Sequence, residues 1–512
     1  MIRFPRQSEA IMTRIQHLLA GAAIALTVGL AASPSMAGRD RFVVDLVNEP
    51  SSLDPQVQWN PDSYYVYRNI FDNLVTRDDK GALAPEIATA WKQVSDTEME
   101  FTIRDDVTFH DGKKLTPEDV VFSVKRITDP KFGSPQLGQF NKITDAVATG
   151  PNTVKLVTDG AYPALLAQLV KLSIVPKHVV EAVGKDAFNA KPVGSGPYVF
   201  ADWSRGVAVT LKRNDKYWGK KAPFPEVAFR AVPDASTRVA NLQAGSSDLG
   251  VSLDSDLAAQ IKSSPKAKPL SVLTERVAYL RLNPSKPPFD KGDIRRAVAM
   301  AIDKEALVQG ILGGYDKAVP EMLTPAHFGW VEGVEAPAFD PKKAKQIVEA
   351  AGPAGQQEIE LSTAPVFDQR IVQAVQQMLA DVGLNVKINM SDMASYLKRA
   401  QSGPESTPAL SYGRWSCACQ DADGVLFPLM HNSSGWSAYR NTTTDKLLEA
   451  ARATLNQDNR MAAYKQVHEI IAKEVPLIPL YQSAIIYGAA KPLVWQPTPN
   501  ESMFLNRMDW KE

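Results

Sequence analysis

From residue 42 onward, short runs alternating apolar and polar positions are interleaved with runs whose apolar residues return at helical spacing. Residues 42–47 read as a strand and 64–74 as a helix. Residues 100–103 and 107–110 read as a hairpin, after which Thr116-Pro117-Glu118-Asp119 opens a helix with proline in its first turn. Residues 207–213 alternate again. Residues 294–312 predict one long amphipathic helix closed by Gly313-Gly314, and 368–382 another closed by Gly383, with a strand over 385–390. A third helical region, 445–473, is broken near 456–459 and precedes an apolar strand over 477–481. Strands and helices in alternation over so long a chain predict a mixed α/β protein with several lobes.

The chain has 512 residues, more than one hydrophobic core usually serves. Lys plus Arg and Asp plus Glu are both 57, a balance that points to neither nucleic acid nor an anionic membrane surface as partner. The N-terminus differs from the rest. Arg14 and His17 precede an apolar run from Leu18 to Ala32, and Ser35-Met36-Ala37 puts small residues where a signal peptidase reads. Residues 1–37 therefore read as an export signal cleaved before Gly38. The apolar run is about fifteen residues, short of the roughly 20 a bilayer span needs. Cleavage removes Arg3, Arg6 and Arg14 against Glu9, which leaves a mature chain of about −2 with histidine neutral.

The densest chemistry lies at 411–424, Ser-Tyr-Gly-Arg-Trp-Ser-Cys-Ala-Cys-Gln-Asp-Ala-Asp-Gly, which holds both cysteines of the chain. Arg414 is a fixed planar cation suited to carboxylate or phosphate. Trp415 offers a flat apolar face, and Ser416, Cys417, Gln420, Asp421 and Asp423 add donors and acceptors for a polar small molecule. The alternative is that Arg414 pairs with a neighbouring acid and Trp415 fills a core. On an extended strand, Cys417 and Cys419 would have Cα atoms about 6.6 Å apart, at the upper edge of disulfide geometry, so a bridge requires a kink. A kinked bridge and two free thiols both stay open. Other motifs read as turns: Asp111-Gly112 after a strand, and Gly194-Ser195-Gly196-Pro197, which lacks the helix of a nucleophile elbow. Asp421-x-Asp423-Gly424 has Asn432 where a calcium loop needs Glu. With six scattered histidines and no nucleophile set or phosphate loop, the chain reads as a non-enzyme without a metal or cofactor.

Residues 90–126, with Phe109-His110-Asp111-Gly112-Lys113-Lys114-Leu115-Thr116-Pro117-Glu118-Asp119-Val120-Val121-Phe122-Ser123, closely resemble the signature of the peptide, opine and nickel-binding family (family 5) of ABC-importer solute-binding proteins. Further matches follow in order: Glu49-Pro50-Ser51-Ser52-Leu53-Asp54-Pro55, Gly194 to Tyr198 running on to Arg213-Asn214-Asp215-Lys216-Tyr217-Trp218, Ala244 to Leu249, Pro288-Phe289-Asp290 and Arg295-Arg296-Ala297. The resemblance implies a two-lobed, hinged periplasmic-binding-protein fold (type II-like, cluster C) with an extra domain inserted in the first lobe. On that layout lobe I comprises 38–59, 191–277 and 488–512, the inserted domain 60–190 and lobe II 278–487. It also implies a monomer in the periplasm that passes its ligand to permease subunits, with no nucleic-acid partner.

In peptide-binding members a Trp-x-x-Asp segment supplies a carboxylate for the ligand's ammonium group, but here Ala418 takes that position. A buried ammonium without a counter-ion costs several kcal/mol, so peptides require Asp421 or Asp423 as substitutes. The Gly-Arg-Trp-Ser-Cys-x-Cys-x-Asp-Ala-Asp-Gly run is similar to the agrocinopine-binding subgroup, which implies a sugar-phosphate or opine-like ligand. Glu49 matches a position near the ligand in peptide-binding relatives. Trp59 and Tyr64 on the same segment, and Trp436, are further candidate contacts. Outside this class, a secreted hydrolase would need Asp421 and Asp423 to flank a scissile bond, which their spacing does not by itself provide. A haem or nickel carrier is disfavoured by scattered His and the absence of a Met-rich run.

Overall fold

The computed structural model describes residues 39–57, 60–417 and 419–511. The expected export signal (1–37), Trp59 and Ala418 lie outside these residues. Among the described residues no helix is long and apolar enough to cross a membrane.

An eleven-stranded mixed sheet runs through the molecule. Its order from one edge is Asn385–Met390, Glu358–Thr363, Leu410–Trp415, Ala267–Leu282, Leu477–Ala490, Leu249–Gly250, Arg41–Leu46, Glu226–Ala231, Ala208–Arg213 and Tyr198–Ser204, with Lys317–Ala318 paired beside Leu477–Ala490. Ala267–Leu282 and Leu477–Ala490 are long enough to belong to both halves. One core gathers around Leu280, Leu361, Ile371 and Tyr412 at one end of the sheet, and a second around Phe42, Val44, Leu211 and Phe229 at the other. This is the two-lobed α/β architecture. Ala88–Ser95, Glu98–Ile103, Thr153–Thr158 and Ile143–Gly150 form a separate four-stranded antiparallel sheet with its own core around Phe101, Val120, Phe140 and Leu156.

Local chemistry moved several expected boundaries. The helix expected at 64–74 is Pro61–Tyr67, because the Asn60 side chain accepts from Ser63 N and Pro61 suits the first turn. Residues 107–110 do not pair with the 100–103 strand, whose partners are Ala88–Ser95 and Thr153–Thr158. The helix expected at 294–312 is two helices, Gly292–Ala301 and Lys304–Gly310. Ile302 is extended, and Asp303 caps the second helix through Ala306 N. The break near 456–459 is a second cap, Asn456 to Asn459 N, which starts Gln457–Glu474.

Several residues that carry the family resemblance serve the interior. Asp54 forms a buried ion pair with Arg126 at 2.5 Å, and Thr116 and Asp119 form a reciprocal cap. Asp72 accepts from Ser195, Tyr217 and Trp218 together. A Cβ on Gly194 would lie 2.0 Å from the Ile70 carbonyl oxygen, so the Gly-Ser-Gly-Pro motif is a close backbone approach.

Candidate functional site

The two long strands do not pair continuously. Their ladder shifts register between Leu273 and Val277, so residues 274–276 leave the regular pattern. Side chains bridge the gap: Thr274 Oγ1 donates to Ser483 O (2.8 Å) and Gln482 Nε2 to Thr274 O (2.7 Å). Over this irregular floor opens a cleft of about 460 Å³. Pro61, Tyr65, Ser252, Asp254 and Glu501 line one wall and Val366, Phe367, Asp368 and Arg414 the other, with Thr274, Arg276 and residues 483–486 beneath. A site that takes its walls from both lobes and its floor from the connecting strands suits a ligand that is enclosed when the lobes close.

Backbone geometry marks the same place. Among the described residues only Ser252, Gln420, Val475 and Glu501 are non-glycine residues with positive φ, and Ser252 (54°) and Glu501 (57°) both line the cleft. Strain of this kind persists where surrounding structure imposes it, which favours a functional reading of the cleft. Glu501 pairs with Arg276 at 3.1 Å. The neighbouring Glu275 carboxyl is pushed up to about 7 by burial and by the charge of Glu501, against Lys171 and Arg276.

Arg414 reaches the cleft from the Leu410–Trp415 strand. Its side chain is exposed, and among the described residues it makes no hydrogen bond or ion pair; its guanidinium lies 5.6 Å from the Phe367 ring centroid. Two carboxylates act on it from a distance. Asp316 is raised to about 6, chiefly by burial, with Ala484 N and the Arg414 charge opposing. For Asp368, burial acts against the charged form, but the Arg370 hydrogen bonds, with the Arg370 and Arg414 charges, outweigh it and hold the carboxyl below the usual range.

The rest of the motif turns away. Past Trp415 the backbone is pinned to Phe328, which donates to Gln420 O (2.9 Å) and accepts from Ala422 N (2.8 Å). Asp421 pairs with the buried Arg460 at 2.7 Å, and Asp423 with the half-exposed Arg452 at 2.5 Å, away from this cleft. Burial pushes the Asp421 carboxyl up, opposed by Arg460. The two carboxylates expected as open acceptors thus already have internal partners, because helices later in the chain bring arginines against them. Cys417 and Cys419 form a disulfide with Cα atoms 5.0 Å apart, the kinked alternative. Trp415 donates its indole N–H to Gly424 O (3.0 Å) and meets Trp436 edge-on at 4.9 Å, so both indoles pack within the lobe. Ser416 is half-buried. Gln420 is buried with neither amide atom hydrogen-bonded.

The first-lobe candidates are also internally bonded. Glu49 accepts from the Trp203 indole (2.8 Å) and Gly206 N (3.2 Å), and the buried Tyr64 hydroxyl shares a 3.0 Å hydrogen bond with Ser502. Tyr65, one residue on, is the one that lines the cleft. Sequence reasoning missed Ser252, Asp254, Arg276 and Glu501. The only local signal was Asp254 as a helix cap, since it accepts from Leu257 N at 2.8 Å.

A family model for the middle region of the bacterial extracellular solute-binding proteins, family 5, matches residues 82–437. The chain is 28% identical over 481 residues to Heme-binding protein A of Haemophilus influenzae, across 86% of this chain and 87% of that one. It is 26% identical over 488 residues to Glutathione-binding protein GsiB of Salmonella typhi, across 92% and 94%. Among solved structures, the periplasmic binding protein AgaA in complex with agropinic acid, from A. tumefacien R10, is similar with a TM-score of 0.74 and 26% identity, across 92% of this chain and 99% of that one. The chain belongs to the bacterial extracellular solute-binding proteins, family 5, whose members serve ABC importers by binding rather than catalysis.

Proposed function

We propose that this protein captures a small anionic molecule, of the sugar-phosphate or opine-like class, between its lobes and delivers it to the permease of an ABC importer. The observation that carries the reading is Arg414, an exposed guanidinium with no hydrogen-bond or ion-pair partner among the described residues, on the wall of the 460 Å³ cleft. A planar, permanently charged donor at such a place suits a carboxylate or phosphate. The agropinic acid bound by AgaA supports an acidic ligand of this class. Export by cleavage before Gly38, with capture in the periplasm, completes the proposal, as does action as a monomer with the lobe boundaries set out above.

A di- or oligopeptide is the second reading, favoured by the glutathione named for one relative. It now calls for a different acid, since Asp421 and Asp423 are paired with Arg460 and Arg452. Asp254, exposed on the opposite wall, is the candidate for the ammonium. Native mass spectrometry of the purified mature protein, followed by denaturation and identification of the released molecule, separates the two. An acidic or phosphorylated sugar conjugate supports the first, a peptide the second, and a neutral or cationic ligand overturns the role of Arg414.

A further inference from the structure

Against the 411–424 segment, outside the cleft lining, Arg77 ends the short strand Val75–Arg77. Its side chain is buried at 7% exposure and bonds carbonyl oxygens. Nη1 donates to Gly81 O in its own turn, and Nη2 crosses to Cys419 O, both at 2.7 Å. No carboxylate of the described residues pairs with it. Glu275 and Asp421 only offset its charge from further away, and burial pulls its pKa down. The two surfaces touch here as well: a Cβ on Gly81 would stand 3.8 Å from Gln420 Oε1.

The position of the acceptor depends on the disulfide. The bridge draws the two Cα atoms to 5.0 Å, and the chain then turns back, with Gln420 N donating to Cys417 O (2.7 Å) and Gln420 at φ 51°. The sulfurs rest on the first turn of Asp423–Met430, where a Cβ on Gly424 would lie 2.2 Å from Cys417 Sγ and 2.6 Å from Cys419 Sγ. The bridge, the left-handed residue and the glycine together aim the Cys419 carbonyl outward.

We infer that Arg77 and the Cys417–Cys419 disulfide form a clasp between the lobes, in which the bridge holds the Cys419 carbonyl as the acceptor for Arg77. Arg77 is then a positioning residue for closure that does not line the ligand cleft. The inference rests on the two-lobed closing proposed above and not on the ligand's identity. Reduction by a dithiol releases the clasp. Its first thiolate attacks the half-buried Cys417 Sγ and expels the Cys419 thiolate, which takes up a proton. Its second thiolate then displaces the Cys417 thiolate, which is protonated in turn, and leaves the reagent as a cyclic disulfide.

The test is amide hydrogen exchange of the full mature chain without added ligand, oxidised and after dithiothreitol, for wild type, Arg77→Met and Arg77→Lys, with circular dichroism to verify folding. Reduction of the wild type is expected to speed exchange in residues 75–85 by about tenfold, the scale of one hydrogen bond to a charged donor. In Arg77→Met that segment starts fast and gains nothing further from dithiothreitol, whereas Arg77→Lys keeps part of the response. If reduction loosens 417–424 while 75–85 is unmoved in the wild type, the bridge is only a local staple and the clasp is wrong. Independent, additive effects of reduction and Arg77→Met overturn it equally. The wild-type arm stands even if a variant fails to fold. No arm contains a probe ligand, so a wrong ligand class leaves these outcomes unchanged.

Discussion

Arg414 and Arg460 serve the same fourteen-residue segment in opposite ways. Arg460 is buried, with its guanidinium on Asp421 at 2.7 Å, on the Tyr464 hydroxyl at 3.2 Å and 4.4 Å from the Phe328 ring centroid. Arg414 is exposed in the cleft and, among the described residues, has no hydrogen-bond or ion-pair partner, only the Phe367 ring centroid at 5.6 Å. One cation is consumed in holding the loop, and the other is the one proposed above to meet a ligand. The comparison teaches that a charge-rich motif is not uniformly a site: its chemistry becomes available only where the fold leaves a group uncompensated.

Removing the consumed cation should have the largest effect. Arg460→Leu leaves Asp421 buried and unpaired, and breaking such a pair typically costs about 3–5 kcal/mol. Urea unfolding should show a loss of that size, part of it recovered in the Arg460→Leu/Asp421→Asn double variant. A loss below about 1 kcal/mol would mean that Asp421 reaches solvent, and with it the ligand, after all.

Arg414→Ala should reverse the pattern. Unfolding should stay within about 0.5 kcal/mol of wild type, as for an exposed side chain without partners. Calorimetric titration with the molecule released from the native protein should show a loss of roughly 1.5–3 kcal/mol, the worth of a hydrogen bond to a charged group. Arg452→Ala falls between the two: its ion pair with Asp423 is partly solvated, at 38% and 10% side-chain exposure. A stability loss near 1 kcal/mol, measured by the same unfolding experiment, is the expectation.

Acid should sharpen the role of Arg414 further. Asp316 is held near 6, chiefly by burial. Above that pH its negative charge would compete with the proposed anionic ligand for Arg414, and below it the carboxyl is neutral while a ligand carboxylate of ordinary pKa, about 4, stays ionised. Binding should therefore be a few-fold tighter at pH 5 than at pH 7.5, within the reach of one neighbouring charge at a partly solvated site. Asp316→Asn should bind at the tighter level at both values, and a wild-type titration flat across this range would remove Asp316 from the account.

How much of this was legible beforehand follows from where the determinants lie. Arg414 could be read from its own chemistry, and the family from motifs whose residues are local turns and caps such as Thr116 and Asp119. The fate of Asp421 and Asp423 could not, because their partners stand 39 and 29 residues further on, on helices whose packing angle no short pattern encodes. The cleft floor was hidden for the same reason: the register shift at 274–276 is a property of two strands, Ala267–Leu282 and Leu477–Ala490, far apart in sequence. By contrast the split of 294–312 was written locally in Asp303, a capping residue passed over because the apolar period runs through it.

The smallest effect belongs to Arg370, which pairs with the cleft residue Asp368. Arg370 holds Asp368 at 2.7 Å on its own lobe and reaches Asp256, on the helix that Asp254 caps, at 3.5 Å. On the proposed layout the second contact joins lobe II to lobe I, where the Arg77 clasp joins it to the inserted domain, yet its side chains are 47% and 85% exposed. Water and salt screen a pair like this, with a Debye length of about 8 Å at physiological ionic strength and about 3 Å at 1 M. Asp256→Asn should therefore change ligand affinity by less than about 0.5 kcal/mol at 0.15 M salt and by nothing measurable at 1 M. A larger, salt-resistant loss would show that closure is governed at the cleft's exposed rim, and the difference between compensated interior charges and open cleft charges would no longer explain where this protein binds.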